Sequence, residues 1–86
     1  MITVGFTPEF FRSLKGLTPQ LQELAFKKIE LFRERSTHRR LKVHKLHGKY
    51  QGFFGFSIDR KFRIMFEWIS SDEARLHTTG DHSIYD

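Results

Sequence analysis

His44 and His47 stand three residues apart in His44-Lys45-Leu46-His47-Gly48, within a stretch from Arg35 to Ile58 that holds no acidic residue. The same stretch carries Arg35, Arg39, Arg40, Lys42, Lys45 and Lys49, with His38 among them. Imidazoles gain and lose a proton near neutrality and so can serve as general base or acid. Lys and Arg at this density attract a polyanion, phosphate above all, in a salt-dependent way. Metal binding by the two histidines is disfavoured, because no Cys or acidic ligand stands near and the flanking lysines repel a dication. His44 is equally readable as a loop-packing residue, and His38 reads as solvated. A second candidate is Arg63, flanked by Phe62, Ile64 and Phe66, where a strand would hold its guanidinium on a rigid base as a phosphate clamp. The end of the chain, Thr79-Gly80-Asp81-His82-Ser83-Ile84-Tyr85-Asp86, brings one more imidazole and a phenol.

Composition limits what these groups can serve. Eighty-six residues form one domain, 1–86, with a single modest core. Cysteine is absent, which removes disulfides and thiol chemistry and suits a reducing compartment. No run approaches the roughly 20 apolar residues that span a bilayer, and no cationic-then-apolar leader opens the chain, so a soluble, cytoplasmic protein is expected. The formal net charge is +5 and the isoelectric point about 9.9, with most of the excess in the segment above. Nucleic acid or an acidic protein is the expected partner, and membrane the weakest candidate. The ten phenylalanines read mainly as core, with base stacking kept open for Phe53 and Phe62.

The elements that must position these groups are legible from period and punctuation. Ile2 to Phe6 is strand-like. Thr7-Pro8-Glu9 starts a short helix with Thr7 as N-cap, Phe6 and Phe11 as a hydrophobic staple and Gly16 as the stop. Thr18-Pro19 repeats the start signal, and Leu21, Leu24, Ala25, Ile29 and Phe32 mark one face of a longer helix to about Arg35. Gln51 to Ile58, Phe62 to Ile69 and Ala74 to Thr79 alternate as three strands, separated by turns at Asp59-Arg60-Lys61 and Ser70 to Glu73. The expected fold is α+β, in the order β-α-α-β-β-β, with an antiparallel four-stranded sheet and both helices packed on one face. Period two then places Ser57, Arg63, Glu67, Arg75 and His77 together on the uncovered face.

This order of elements and four short segments resemble the RelE/ParE superfamily of type II toxin-antitoxin toxins. The segments are His44-Lys45-Leu46-His47-Gly48 for the family's His-x-Leu-x-Gly, and Gly52 to Ile58 as the following strand. Phe62-Arg63-Ile64-Met65-Phe66 stands for its Tyr-Arg-Ile/Leu-x-Tyr, and Thr79-Gly80-Asp81-His82 leads to Tyr85. The opening Phe-Thr-Pro-Glu-Phe and the length also match. The resemblance implies a RelE-like fold and, in the RelE-like and YafQ-like branches, a ribosome-dependent endoribonuclease that cuts mRNA and inhibits translation. It also implies a cognate antitoxin, the ribosome and mRNA as partners, toxin-antitoxin hetero-oligomers, and no cofactor.

Carried over by position, His44 matches the histidine ahead of the glycine in YafQ-like toxins and is the expected base. His82 matches a histidine or arginine near the carboxyl end and is the expected acid, though the two labels can be exchanged. Arg63 matches the strand arginine of RelE-like and YoeB-like toxins and would stabilise the phosphate, with Tyr85 stacking or orienting. Arg39, Arg40, Lys42, Lys45, His47, Lys49 and Lys61 are expected to bind RNA backbone. YafQ-like toxins have a histidine where Ser57 stands and an aspartate where Lys61 stands, and RelE-like toxins have lysines about Gly55 and Ser57. The ParE branch, which inhibits DNA gyrase, shares the pattern without nuclease residues. A gyrase inhibitor and a non-catalytic nucleic-acid-binding module are therefore the alternative expectations.

Overall fold

Both helix starts form as their caps require, in a computed structural model that describes residues 1–81. After strand β1 (Thr3–Phe6), Thr7 is extended and its Oγ1 accepts from the Phe10 amide at 3.1 Å, opening α1 (Pro8–Lys15). Thr18 accepts from the Leu21 amide at 3.2 Å and opens α2 (Pro19–Phe32), again with proline at the first position. Phe6 and Phe11 form the staple, their ring centroids 5.3 Å apart. The helix α2 stops at Phe32, short of Arg35, because the Thr37 hydroxyl turns back onto the Leu31 and Glu34 carbonyls and draws the chain into a 3₁₀ turn over Arg35–Thr37. The Thr7 hydroxyl also lies 3.1 Å from the Leu76 carbonyl and 3.2 Å from that of His77, tying α1 to the sheet. Thr7→Ala is therefore expected to cost about 1 to 2 kcal/mol, read as a lower urea midpoint at unchanged slope.

The sheet has five strands and is mixed, which corrects the expectation of four antiparallel ones. Its order is β1-β5-β4-β3-β2, with β2 (His44–Lys45), β3 (Phe54–Ser57), β4 (Phe62–Ser70) and β5 (Glu73–Asp81). β1 pairs with β5 in parallel, the intervening helices and strands supplying the crossover that parallel pairing needs. The extra strand, β2, is two residues long and pairs antiparallel with β3, too short to show a period in the sequence. β3 begins only at Phe54, because Gly48 and Gly52 take positive φ values of 65° and 95° around a 3₁₀ turn at Gly48–Tyr50.

Both helices cover one face. Phe32 is its hub: its ring stacks on Phe56 at 4.5 Å, meets Phe66 edge-on at 4.8 Å and lies 5.7 Å from Trp68. Phe10, Leu14, Ala25 and Ile29 join Ile64, Ala74 and Leu76 in the same cluster. His38, read as solvated, instead stacks on Phe32 at 4.8 Å with Nε2 2.7 Å from the Phe32 carbonyl. Among the described residues no helix is long and apolar enough to cross a membrane.

Candidate nucleic-acid interface

The uncovered face carries the side chains that alternation assigns to it. His44 pairs with Gly55, Gly55 with Met65, and Met65 with Thr78, so these four make one row across the sheet. Ser57, Arg63 and Gly80 make the next row on that face. From a strand spacing of about 4.8 Å and a rise of about 3.4 Å per residue, the His44 and Arg63 Cα atoms are roughly 12 Å apart. That gap lets an imidazole and a guanidinium approach one phosphate from two sides.

Local structure fixes both groups. His44 Nδ1 is 2.7 Å from the Lys42 carbonyl, and since a carbonyl only accepts, Nδ1 carries the proton. In the neutral ring Nε2 is then the basic nitrogen. Lys42 takes φ 59°, a left-handed conformation uncommon away from glycine, which turns its carbonyl to that position. Arg63 is held by the turn before it. Asp59 Oδ1 accepts from the Lys61 and Phe62 amides at 2.9 and 2.7 Å and closes the turn. Arg63 then donates through one terminal nitrogen to the carbonyls of Asp59, Arg60 and Phe62 at 2.7, 3.1 and 3.2 Å.

Arg63 lines a cleft of about 250 Å³ together with Lys28, Arg40, Lys42 and Arg60, with Asp59 the one acidic residue in its wall. Arg40 and Lys42, two of the residues expected to bind RNA backbone, thus line the same cleft as Arg63. Lys28 and Arg60 add to that set. Lys28 comes from α2 and nothing in its local sequence marks it, since only the packing of α2 against the 38–43 segment brings it there. A second cleft, of about 550 Å³, is walled by Leu46, Phe53 and Phe54 with Lys45, His47 and Gln51 at its rim. Arg39 and Lys49 are exposed on the same basic segment, and Lys61 is exposed with Nζ 5.5 Å over the Phe62 ring. Of the two stacking candidates, Phe62 packs against the main core, whereas Phe53 meets His77 edge-on at 5.2 Å on the uncovered face.

β5 delivers Gly80 opposite Arg63 and Asp81 opposite Phe62, so the chain leaves the described residues beside the arginine. His82 and Tyr85 lie outside the described residues. Glu67, an outward residue to which the sequence reading gave no role, accepts from His77 at 2.7 Å and pairs with Arg75 at 3.6 Å.

No protein-family model matches the chain, and no curated protein matches its sequence. Solved structures do match in fold. The RelBE2 toxin-antitoxin complex of Mycobacterium tuberculosis aligns with a TM-score of 0.75 at 19% identity, covering 95% of this chain and 92% of that one. A YafQ point mutant from E. coli aligns at 0.70 and 11% identity, covering 98% and 97%. The YoeB-YefM complex of Staphylococcus aureus aligns at 0.69 and 13% identity, covering 95% and 98%. Across nearly its whole length, with two helices on one face of a five-stranded mixed sheet, the chain has the RelE/YafQ-like fold of type II toxins.

Proposed function

We propose that this chain is the toxin of a type II toxin-antitoxin pair and acts as a metal-independent endoribonuclease that cuts mRNA on the ribosome in the cytoplasm. The observation that carries the reading is the placement of His44 and Arg63 in neighbouring rows of one uncovered face, with four further cations around Arg63. In the reaction the 2′-hydroxyl attacks the adjacent phosphorus. The O2′–P bond forms, the hydroxyl proton passes to His44 Nε2, and the P–O5′ bond breaks as the departing oxygen takes a proton. A 2′,3′-cyclic phosphate and a 5′-hydroxyl result. Arg63 and its cationic neighbours stabilise the charge that builds on the phosphorane. By resemblance His82 supplies the proton to the leaving oxygen and Tyr85 orients the nucleotide.

An antitoxin partner is supported by the similar RelBE2 and YoeB-YefM structures, which are toxin-antitoxin complexes. A physical motive is the cationic cleft, which an acidic, initially disordered segment can cover. The test is induction of the chain without antitoxin, followed by mapping of transcript 5′ ends. Cuts confined to translated messages are expected. Intact messages with DNA damage signalling would favour gyrase inhibition, and no growth arrest would leave a binding module. For binding itself, Arg40→Ala is expected to reduce the salt dependence of affinity for single-stranded RNA, lowering the log–log slope by about 0.7. An unchanged slope would remove Arg40 from the contact surface.

A further inference from the structure

Glu67, His77, Arg75 and Phe53 form a cluster on the uncovered face that the cleavage chemistry does not use. Glu67 on β4 stands opposite Arg75 on β5, and its Oε1 is 2.7 Å from His77 Nε2 and 3.6 Å from an Arg75 terminal nitrogen. An ionised carboxylate only accepts, so Nε2 carries a proton. Oε1 thus accepts the His77 hydrogen bond and faces the Arg75 charge, while Oε2 takes no donor from the described residues. The Glu67 side chain is 32% exposed, so that oxygen is within reach of a ligand.

A break in the ladder falls at His77. Met65 pairs with Thr78 and the next residue, Phe66, with Leu76, which leaves His77 as the extra residue of a bulge in β5. Bulges re-aim a side chain. Here the imidazole meets the Phe53 ring at 5.2 Å and 86°, and Phe53 has no place in the main core. A plain surface ion pair would need neither the bulge nor the aromatic wall.

We propose that this cluster is a nucleobase subsite for bases that carry an exocyclic amino group, and that it rejects uracil. A base stacks beside Phe53 and His77 and donates its amino N–H to Glu67 Oε2. Adenine, cytosine and guanine all present such a donor, whereas uracil has carbonyl oxygens in place of an amino group and only its ring N3–H to give. Arg75, whose side chain is half exposed, flanks the site and meets the backbone of the same strand. Glu67 lies four residues along β4 from Arg63, about 14 Å, so the base read is on a nucleotide near the cut rather than at it. The proposal rests on the RNA reading above.

The experiment is fluorescence anisotropy of the full chain with 2′-O-methyl heptamers of A, C and U, which bind without being cut. The A and C strands are expected to bind about tenfold more tightly than U, the size of one good polar discrimination. Glu67→Ala should erase that ratio. Glu67→Gln sets an amide NH2 where Oε2 stood and should raise U to equal A and C or pass them. Phe53→Ala should weaken all three strands several-fold and keep the ratio, as loss of a stacking wall does. Equal affinities in the wild type, or a ratio unchanged in a folded Glu67→Gln protein, would overturn the subsite. Because the strands are not cut, the ratio can hold while mapping of messages finds no cleavage, or fail while cleavage is found, so the two readings fall separately.

Discussion

Replacing Arg63 with alanine is expected to slow message cleavage by about 10²- to 10³-fold, the usual loss when a preorganised charge donor to a transition state is removed. The arginine is on the central strand β4, between β3 and β5, and one terminal nitrogen is tied to three carbonyls of the preceding turn. In the proposed reaction its guanidinium would therefore need little reorganisation as charge builds on the phosphorane. Lys28, Arg40, Lys42 and Arg60 share its cleft and keep attracting RNA after the change, so binding should fall far less than rate. Arg63→Lys keeps the charge but loses the planar fork, and an intermediate rate is expected. The measurement is the rate of cleavage of a defined message in a reconstituted translation system, with thermal unfolding as the control. Wild-type rates in a folded Arg63→Ala protein would remove the arginine from the chemistry.

Phe32→Ala is expected to cost about 3 to 5 kcal/mol. Its ring is fully buried where α2 meets the sheet, in contact with Phe56, Phe66, Trp68 and His38. Total stability for a domain of this size is about 4 to 13 kcal/mol, so the variant loses a large share of it and should unfold at a much lower urea concentration than the wild type. Phe26→Ala, on the outward side of the same helix at 43% exposure, should change stability by less than about 1 kcal/mol. Urea titration of the two variants side by side measures the contrast. Equal effects would mean that α2 does not dock through Phe32.

Much of the fold was legible because its signals are local. Thr7-Pro8 and Thr18-Pro19 start helices by side-chain capping, and alternation from Phe62 to Trp68 separates an apolar face from one bearing Arg63 and Glu67. What stayed hidden depends on partners distant in sequence. The two-residue strand at His44 exists only through its pairing with Gly55, and the parallel course of β1 only through β5. The bulge at His77 is invisible to a strict period of two, because the extra residue is defined by the neighbouring strand. The same holds for the site. Arg63 could be picked out by its apolar neighbours and by resemblance, whereas Lys28 joins its cleft through tertiary packing alone. The Glu67–His77 contact likewise needs two strands in register.

In the proposed function RNA lies on the face opposite the helices. Chemical-shift mapping with a non-cleavable RNA strand tests this most directly. The largest changes are expected at Gly55, Ser57, Arg63, Met65 and Gly80, with His44 among them, and little at the apolar groove beside Phe26 and Leu31 on the outer side of α2. Shifts confined to that groove, with Arg63 and His44 unmoved, would contradict it.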